Sequence, residues 1–271
     1  MKKIFFLLLL LTTLAHNTQA QCTYANTAFK SGEYLLYNLH FNWKLVWVKV
    51  GTATMSTVQT VYQGKQAYRC SLTTQSNGKM DNIFVMRDTL LAYATTNLTP
   101  LYFRKGAKEG KRYTVDEVWY SYPGGRSHIK TRRLNNDGTN TYHTETGTEC
   151  FTDMLNLFMR ARSINFGSWK KGKSMQLKSA DGKGIKKATL TCQGKQNVKT
   201  DDGKQWRTIV LDFALYEAKK GRFKKIATLY ISDDNNHLPV RIDFNMSFGS
   251  AKAFLIQSKG LRSAATAIIK K

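Results

Sequence analysis

The chain has 271 residues, with 42 Lys and Arg against 18 Asp and Glu, and a net charge of +24. No stretch approaches the ~20 apolar residues that a membrane-spanning helix requires. The 4 cysteines form no Cys-x-x-Cys pair, which argues against dithiol redox catalysis and a structural zinc site.

At the N-terminus Lys2 and Lys3 precede an apolar run from Ile4 to Leu11, and Thr18-Gln19-Ala20 precedes Gln21. This pattern predicts a secretory signal peptide over residues 1–20, cleaved after Ala20. The mature protein is then expected in the periplasm or envelope, soluble after cleavage. Lipid attachment at Cys22 is set aside because Gln21, not a small residue, precedes it. Loss of Lys2 and Lys3 leaves a mature charge of +22, so export does not explain the basicity. For an exported chain without an RNA- or DNA-binding signature, nucleic acid is not an expected partner.

Strand signals dominate the mature sequence. Leu35, Tyr37, Leu39, Phe41 and Trp43 alternate with Tyr34, Leu36, Asn38, His40 and Asn42, and Ile209, Leu211, Phe213 and Leu215 alternate with Thr208, Val210, Asp212 and Ala214. The clearest row is Val240, Ile242, Phe244, Met246 and Phe248. Period-two alternation predicts antiparallel strands with one buried face. Further strands are expected near 45–61, 66–75, 82–95, 101–105, 112–122, 127–134, 173–180, 185–194 and 224–232. Turn pairs such as Gln63-Gly64, Asn77-Gly78, Asp137-Gly138 and Asp202-Gly203 separate many of them. With 3 prolines and no Pro- or Ser-rich linker, residues 21–262 read as one β-rich domain, followed by a frayed basic tail at 263–271.

One segment has helical spacing. Phe151, Met154, Leu155, Phe158, Met159 and Arg162 predict a helix over 151–163, capped by Thr148. Its apolar side needs a cover, and the sheet is the available partner. The expected fold is therefore mainly β: a large antiparallel curved sheet or half-barrel of about 10–14 strands wrapped around one helix.

The cations are clustered. Lys105, Lys108, Lys111 and Arg112 form one group; Lys170, Lys171 and Lys173 open a second that continues through Lys178, Lys183, Lys186 and Lys187. Lys219, Lys220, Arg222, Lys224 and Lys225 form a third. All fall between apolar runs, so they read as loops or strand ends able to face an anionic membrane or glycan. The competing reading is that they only keep the protein soluble.

A search for catalytic motifs finds no Gly-x-Ser-x-Gly, His-Glu-x-x-His, P-loop or Gly-x-Gly-x-x-Gly. Beyond the leader, His40, His128, His143 and His237 are scattered. No enzyme activity, metal or cofactor is therefore expected. Asp233 and Asp234 offer a weak calcium candidate, but Ser232 to Pro239 reads better as a tight turn. Arg87 and Asp88, adjacent in a strand, point to opposite faces; either reads as part of an ion pair across the sheet, with a ligand contact as the alternative. Trp43, Trp47, Trp119, Tyr120, Tyr122, Trp169 and Trp206 could stack on sugars, although core filling explains most of them. Cys22, Cys70, Cys150 and Cys192 are disulfide candidates with undetermined pairing, while Cys70 and Cys192 also fit buried thiols.

Several stretches in a fixed order carry a resemblance. They are Phe29-x-x-Gly32-Glu33-x-Leu35-x-Tyr37, Val50-Gly51-Thr52-Ala53, Phe84-Val85-Met86-Arg87-Asp88 and Leu98-Thr99-Pro100-Leu101-Tyr102-Phe103. Asp153-Met154-Leu155, Arg160-x-Arg162 and Asp233-Asp234-x-x-His237-Leu238-Pro239-Val240-Arg241 follow. Over residues 29–258 the chain resembles a family of exported bacterial proteins known only as a domain of unknown function. The resemblance implies a single antiparallel β domain of the Gram-negative envelope and supplies no catalytic residue. The architecture is similar to the half-barrels that carry lipoproteins across the periplasm, an analogy of fold alone.

Two functional expectations follow. In the first, a non-enzymatic envelope protein holds a lipid or other amphipathic ligand between sheet and helix, with Met154, Phe158 and Met159 lining the site. In the second, the core is solid and the protein is a structural or interaction module bound to another envelope protein. A hydrolase with a site assembled from distant residues ranks third.

Overall fold

The computed structural model describes residues 23–43, 46–246 and 249–270. The expected leader and Cys22 lie outside them. Sixteen strands and two helices follow in chain order. They are β1 (Glu33–Trp43), β2 (Val46–Tyr62), β3 (Lys65–Ser76), α1 (Gly78–Asp81), β4 (Met86–Thr95), β5 (Pro100–Glu109) and β6 (Arg112–Ser121). Then come β7 (Ser127–Leu134), β8 (Asn140–Gly147), β9 (Phe151–Thr152), α2 (Met154–Arg162), β10 (Ser174–Asp181), β11 (Gly184–Lys199) and β12 (Gln205–Glu217). The last are β13 (Arg222–Ser232), β14 (Pro239–Met246), β15 (Gly249–Lys259) and β16 (Ile268–Ile269).

All strands belong to one sheet in the order β8-β7-β6-β5-β4-β3-β2-β1-β15-β14-β13-β12-β11-β10-β9, with β16 added against β12. Neighbours are antiparallel except β9 and β10. The sheet curls until its ends meet through side chains. Lys178 of β10 pairs with Glu145 of β8 and, at 3.0 Å, with Glu149. Gly182, between β10 and β11, packs so closely on Asp116 of β6 that a Cβ there would lie 2.1 Å from the carboxylate.

The alternation behind the strands is visible in β2. Gly51, Ala53, Met55 and Thr57 are buried, while Thr52, Thr54, Ser56 and Val58 are half-exposed. A one-residue slip would reverse the two rows, which fixes the register. Between β2 and β3, Gln63 (φ 48°) and Gly64 (φ 75°) both take left-handed backbone, the tight-hairpin geometry expected there.

Four strands have no counterpart in the periodicity: β8, β9, β15 and β16. Strand β8 is exposed along most of its length and has no apolar row to detect. The inward row of β15 includes two alanines, Ala251 and Ala253, before Leu255. Strand β4 also begins at Met86, later than expected, because residues 82–85 belong to the connection after α1.

Helix α2 starts at Met154, not near residue 151. Phe151 and Thr152 are taken up by β9, and Asp153 replaces Thr148 as the cap. Its carboxylate accepts the backbone N–H groups of Leu155 and Asn156, each at 3.0 Å. Every residue of α2 after Met154 is buried. Leu155, Phe158 and Met159 pack with Leu35, Leu90, Phe103 and Val118; Leu157 packs with Leu177 and Ala188; Ala161 packs with Leu190, Leu211 and Ile231. The sheet therefore covers the helix on three sides.

The expected frayed tail is corrected by the structure. Asn236 donates to the carbonyls of Ser263 and Ala264, Ala267 is fully buried, and Ile269 lies opposite Gln205 on β12. Residues 263–270 thus belong to the fold, because side chains of the 232–239 turn, Asp234 and Asn236, hold their backbone groups and the Ala267 carbonyl accepts from the Arg207 amide.

Candidate functional site

The helix carries a buried polar frame. Arg162 donates to both carboxylate oxygens of Glu33, at 2.5 and 2.8 Å, and to the carbonyl of Asn236 at 3.0 and 3.2 Å. His237 Nδ1 donates to the Arg162 carbonyl at 2.6 Å. Arg160, also buried, stacks on Tyr24 with its guanidinium carbon 4.4 Å from the ring centre. At the other end Tyr120 donates to Asp153 at 2.9 Å. Burial pushes the Asp153 carboxyl up to about 6, although Asn156, Tyr120 and the Leu155 amide act to lower it. The Tyr120 hydroxyl is also held well above its ordinary range, by burial and the Asp153 charge.

This frame decides what the interior can do. Phe158 and Met159, expected to line a ligand space, are 8% and 1% exposed within the packed core. Met154, expected beside them, is 49% exposed at the helix start. A cleft of about 480 Å³ opens at the C-terminal end of α2, lined by groups such as Ser163, Asn165, Asn235, His237 and Arg262. Polar and apolar groups share this lining, with Ile164 among them. Toward the other end, the interior holds charges. Asp116 pairs with Arg133 at 2.7 Å, and burial pushes the carboxyls of Asp88 and Asp116 up.

The surface is more distinctive. Because neighbouring strands alternate in direction, the connections after β3, β5, β7, β10 and β12 share one rim with the β1–β2 and β14–β15 ends. Residues 105–112, 181–187 and 217–225 on this rim carry twelve Lys and Arg against three Asp and Glu. The opposite turns, 60–66, 95–100, 121–127, 199–205 and 232–239, carry four of each sign. The predicted cations Lys105, Lys108, Lys111, Arg112, Lys219, Lys220, Arg222, Lys224 and Lys225 are thus brought to one rim, with Lys183, Lys186 and Lys187. Lys170, Lys171 and Lys173 precede β10 and lie at the opposite end, so the predicted set is divided.

The same rim presents apolar side chains. Val46 is 62% exposed, and Ile83 70%. Trp47, Phe84 and Phe223 are also exposed, with Lys252 Nζ 3.9 Å from the Trp47 ring centre. The Ile83–Phe84 connection is anchored from below: Arg87 donates to both Asp81 oxygens at 3.0 and 2.5 Å, and Ser76 also binds Asp81. The Arg87 partner is therefore Asp81. The sequence search missed these apolar tips, although Phe223 within Lys219–Lys225 carried the signal.

Other predicted features are placed as follows. Asp233 pairs with Lys195 at 2.8 Å, and Asp234 accepts from Ser232, the Asn236 amide and the Ala267 amide. Both carboxylates thus serve the 232–239 turn and its neighbours. Cys70 and Cys192 are buried free thiols on β3 and β11; burial pushes the Cys70 thiol up to about 12. Cys150 is half-buried in the link before β9. Tyr120 and Trp206 are in the core, whereas Trp119 continues a row of Tyr62, Tyr93 and Tyr102 rings along the sheet.

Comparison with known proteins gives a family and a similar fold. Residues 36–256 match the family model described as "Protein of unknown function (DUF3108)", and the chain belongs to that family. A solved structure of a β-barrel-like protein of the domain of unknown function DUF1849, from Brucella abortus, is similar in fold. Its TM-score is 0.55 at 12% identity, covering 88% of this chain and all of that one. A putative lipoprotein from Parabacteroides distasonis aligns over 88% of this chain and all of its own length, at 10% identity and a TM-score of 0.31. No curated protein matches the chain.

Proposed function

We propose that this protein is an exported, non-enzymatic module of the bacterial envelope that works through its basic rim. The observation that carries this reading is the charge of three connections on one rim, 105–112, 181–187 and 217–225, with twelve cations to three carboxylates, against four of each sign in the five opposite turns. The packed helix favours a solid-core interaction module over a carrier holding lipid inside. Export rests on the leader pattern at residues 1–20. The envelope assignment follows from export and from the family resemblance.

The test is fractionation of cells expressing the full chain. The mature mass should correspond to cleavage after Ala20. Protein released by osmotic shock should be partly retained on the envelope at low salt and freed by high salt. Charge reversal by K108E, K111E, K219E and R222E should move it to the soluble fraction, while K170E, K171E and K173E should not. Equal retention of both variants would overturn the reading.

A further inference from the structure

We infer that the basic rim seats on an anionic phospholipid bilayer, with the strand ends entering the headgroup layer. This rests on the rim being the working surface and names its partner. Charge alone would suit any polyanion; the apolar tips distinguish a bilayer. Among the described residues, eleven large apolar side chains are exposed. Nine of these lie in the rim connections or within three residues of a strand end there; Val61 and Met154 are the others. The cations and apolar tips are interleaved in sequence: Phe223 lies between Arg222 and Lys224, and Tyr113 follows Lys111 and Arg112. Trp47 adds an amphipathic ring with Lys252 over its face.

An anionic headgroup layer is complementary to both parts. Its charge attracts the lysines and arginines, and its apolar boundary accepts Val46, Trp47, Ile83, Phe84 and Phe223. The contact is peripheral. Arg104, Lys130 and Arg132 lie on outward rows of the sheet wall, where a bilayer-spanning barrel would carry an apolar band. Strand ends, not strand faces, are therefore the parts matched to lipid.

Co-sedimentation of the mature chain with phosphatidylglycerol–phosphatidylethanolamine vesicles, against phosphatidylcholine vesicles, tests this at about 0.1 M salt. We expect binding to the anionic vesicles that weakens steeply at higher salt. Each cation removed should weaken it about fivefold, so K108E/K111E/K219E/R222E should bind at least a hundredfold less well. V46S/I83S should weaken vesicle binding on the order of tenfold, yet leave retention on a soluble acidic polysaccharide unchanged. K170E/K171E/K173E serves as a control and should bind as the parent does. Rim-dependent retention on polysaccharide without vesicle binding would overturn the lipid assignment but keep the rim. Polyanion binding insensitive to the rim reversals would overturn both.

Discussion

The buried Glu33–Arg162 pair allows a quantitative test of how α2 is held in the sheet. Both side chains are nearly inaccessible, at 1% and 2% exposure. Arg162 also serves the Asn236 carbonyl, so its guanidinium links β1, α2 and the 232–239 turn. Replacing Glu33 by Gln keeps the volume but leaves a buried cation uncompensated. Such a loss costs about 3–5 kcal/mol, against about 1 kcal/mol or less for an exposed pair. For a domain of this size that corresponds to a fall of roughly 6–20 °C in Tm. Arg162→Met should cost a similar amount by stranding the carboxylate. The double variant Glu33→Leu/Arg162→Met removes both charges and leaves the Asn236 carbonyl without these donors, a loss of about 1–3 kcal/mol. Guanidinium unfolding followed by tryptophan fluorescence would measure all three, provided the m-values agree. A cost below about 1 kcal/mol for E33Q, or a double variant as unstable as the summed singles, would refute the buried-pair argument.

Three further outcomes are expected. The raised Asp153 group binds a proton more tightly in the folded than in the unfolded chain. Its share of stability is therefore present at low pH and lost as pH rises through about 6, by about 3 kcal/mol in total. Asp153→Asn, which still caps α2, should abolish that part of the pH profile; unchanged wild-type and variant profiles between pH 4 and 7 would contradict it. The Cys70 thiol, buried and pushed up to about 12, should resist iodoacetamide at pH 8 in the native protein and react after denaturation, as mass mapping would reveal. Gly51→Ala places a Cβ 2.1 Å from the Gln75 carbonyl oxygen, so β2 and β3 must part locally. A loss of about 1–3 kcal/mol is expected in chemical denaturation, and an unchanged midpoint would count against the close approach.

Much of the sheet was legible because its rows alternate, as in β2, where burial switches at each residue from Gly51 to Thr57. The helix was legible for the complementary reason, a 3.6-residue spacing of Leu155, Phe158 and Met159 amid period-two signals. Its boundary was not. Phe151 fits either period, and only pairing with Lys178 on β10 assigns it to a strand. Edge strand β8 carries no apolar row, so its place depends on β7 rather than on its own residues. The Glu33–Arg162 contact spans 129 positions, and neither residue's local pattern announces the other. Likewise the charge clusters were visible one by one, but their division between two rims depends on strand direction.

The rim follows from a mismatch of lengths. Helix α2 has nine residues and is about 14 Å long, whereas the 17 residues of β2 extend to about 56 Å. The helix can therefore cover only part of the inner wall. On β14 the apolar row passes from fully buried Val240 through half-buried Ile242 and Phe244 to Met246, 40% exposed. Polar residues at these strand ends would cost the core nothing, since the helix does not reach them. Val46→Ser and Ile83→Ser should accordingly change unfolding free energy by no more than about 0.5 kcal/mol, the range of ordinary surface substitutions. A loss of several kcal/mol would show that the tips pack structurally, and the rim would then owe its apolar character to folding rather than to a partner. A neutral result leaves apolar side chains unnecessary for the fold on the same rim as the twelve cations of residues 105–112, 181–187 and 217–225, the combination a headgroup layer would use.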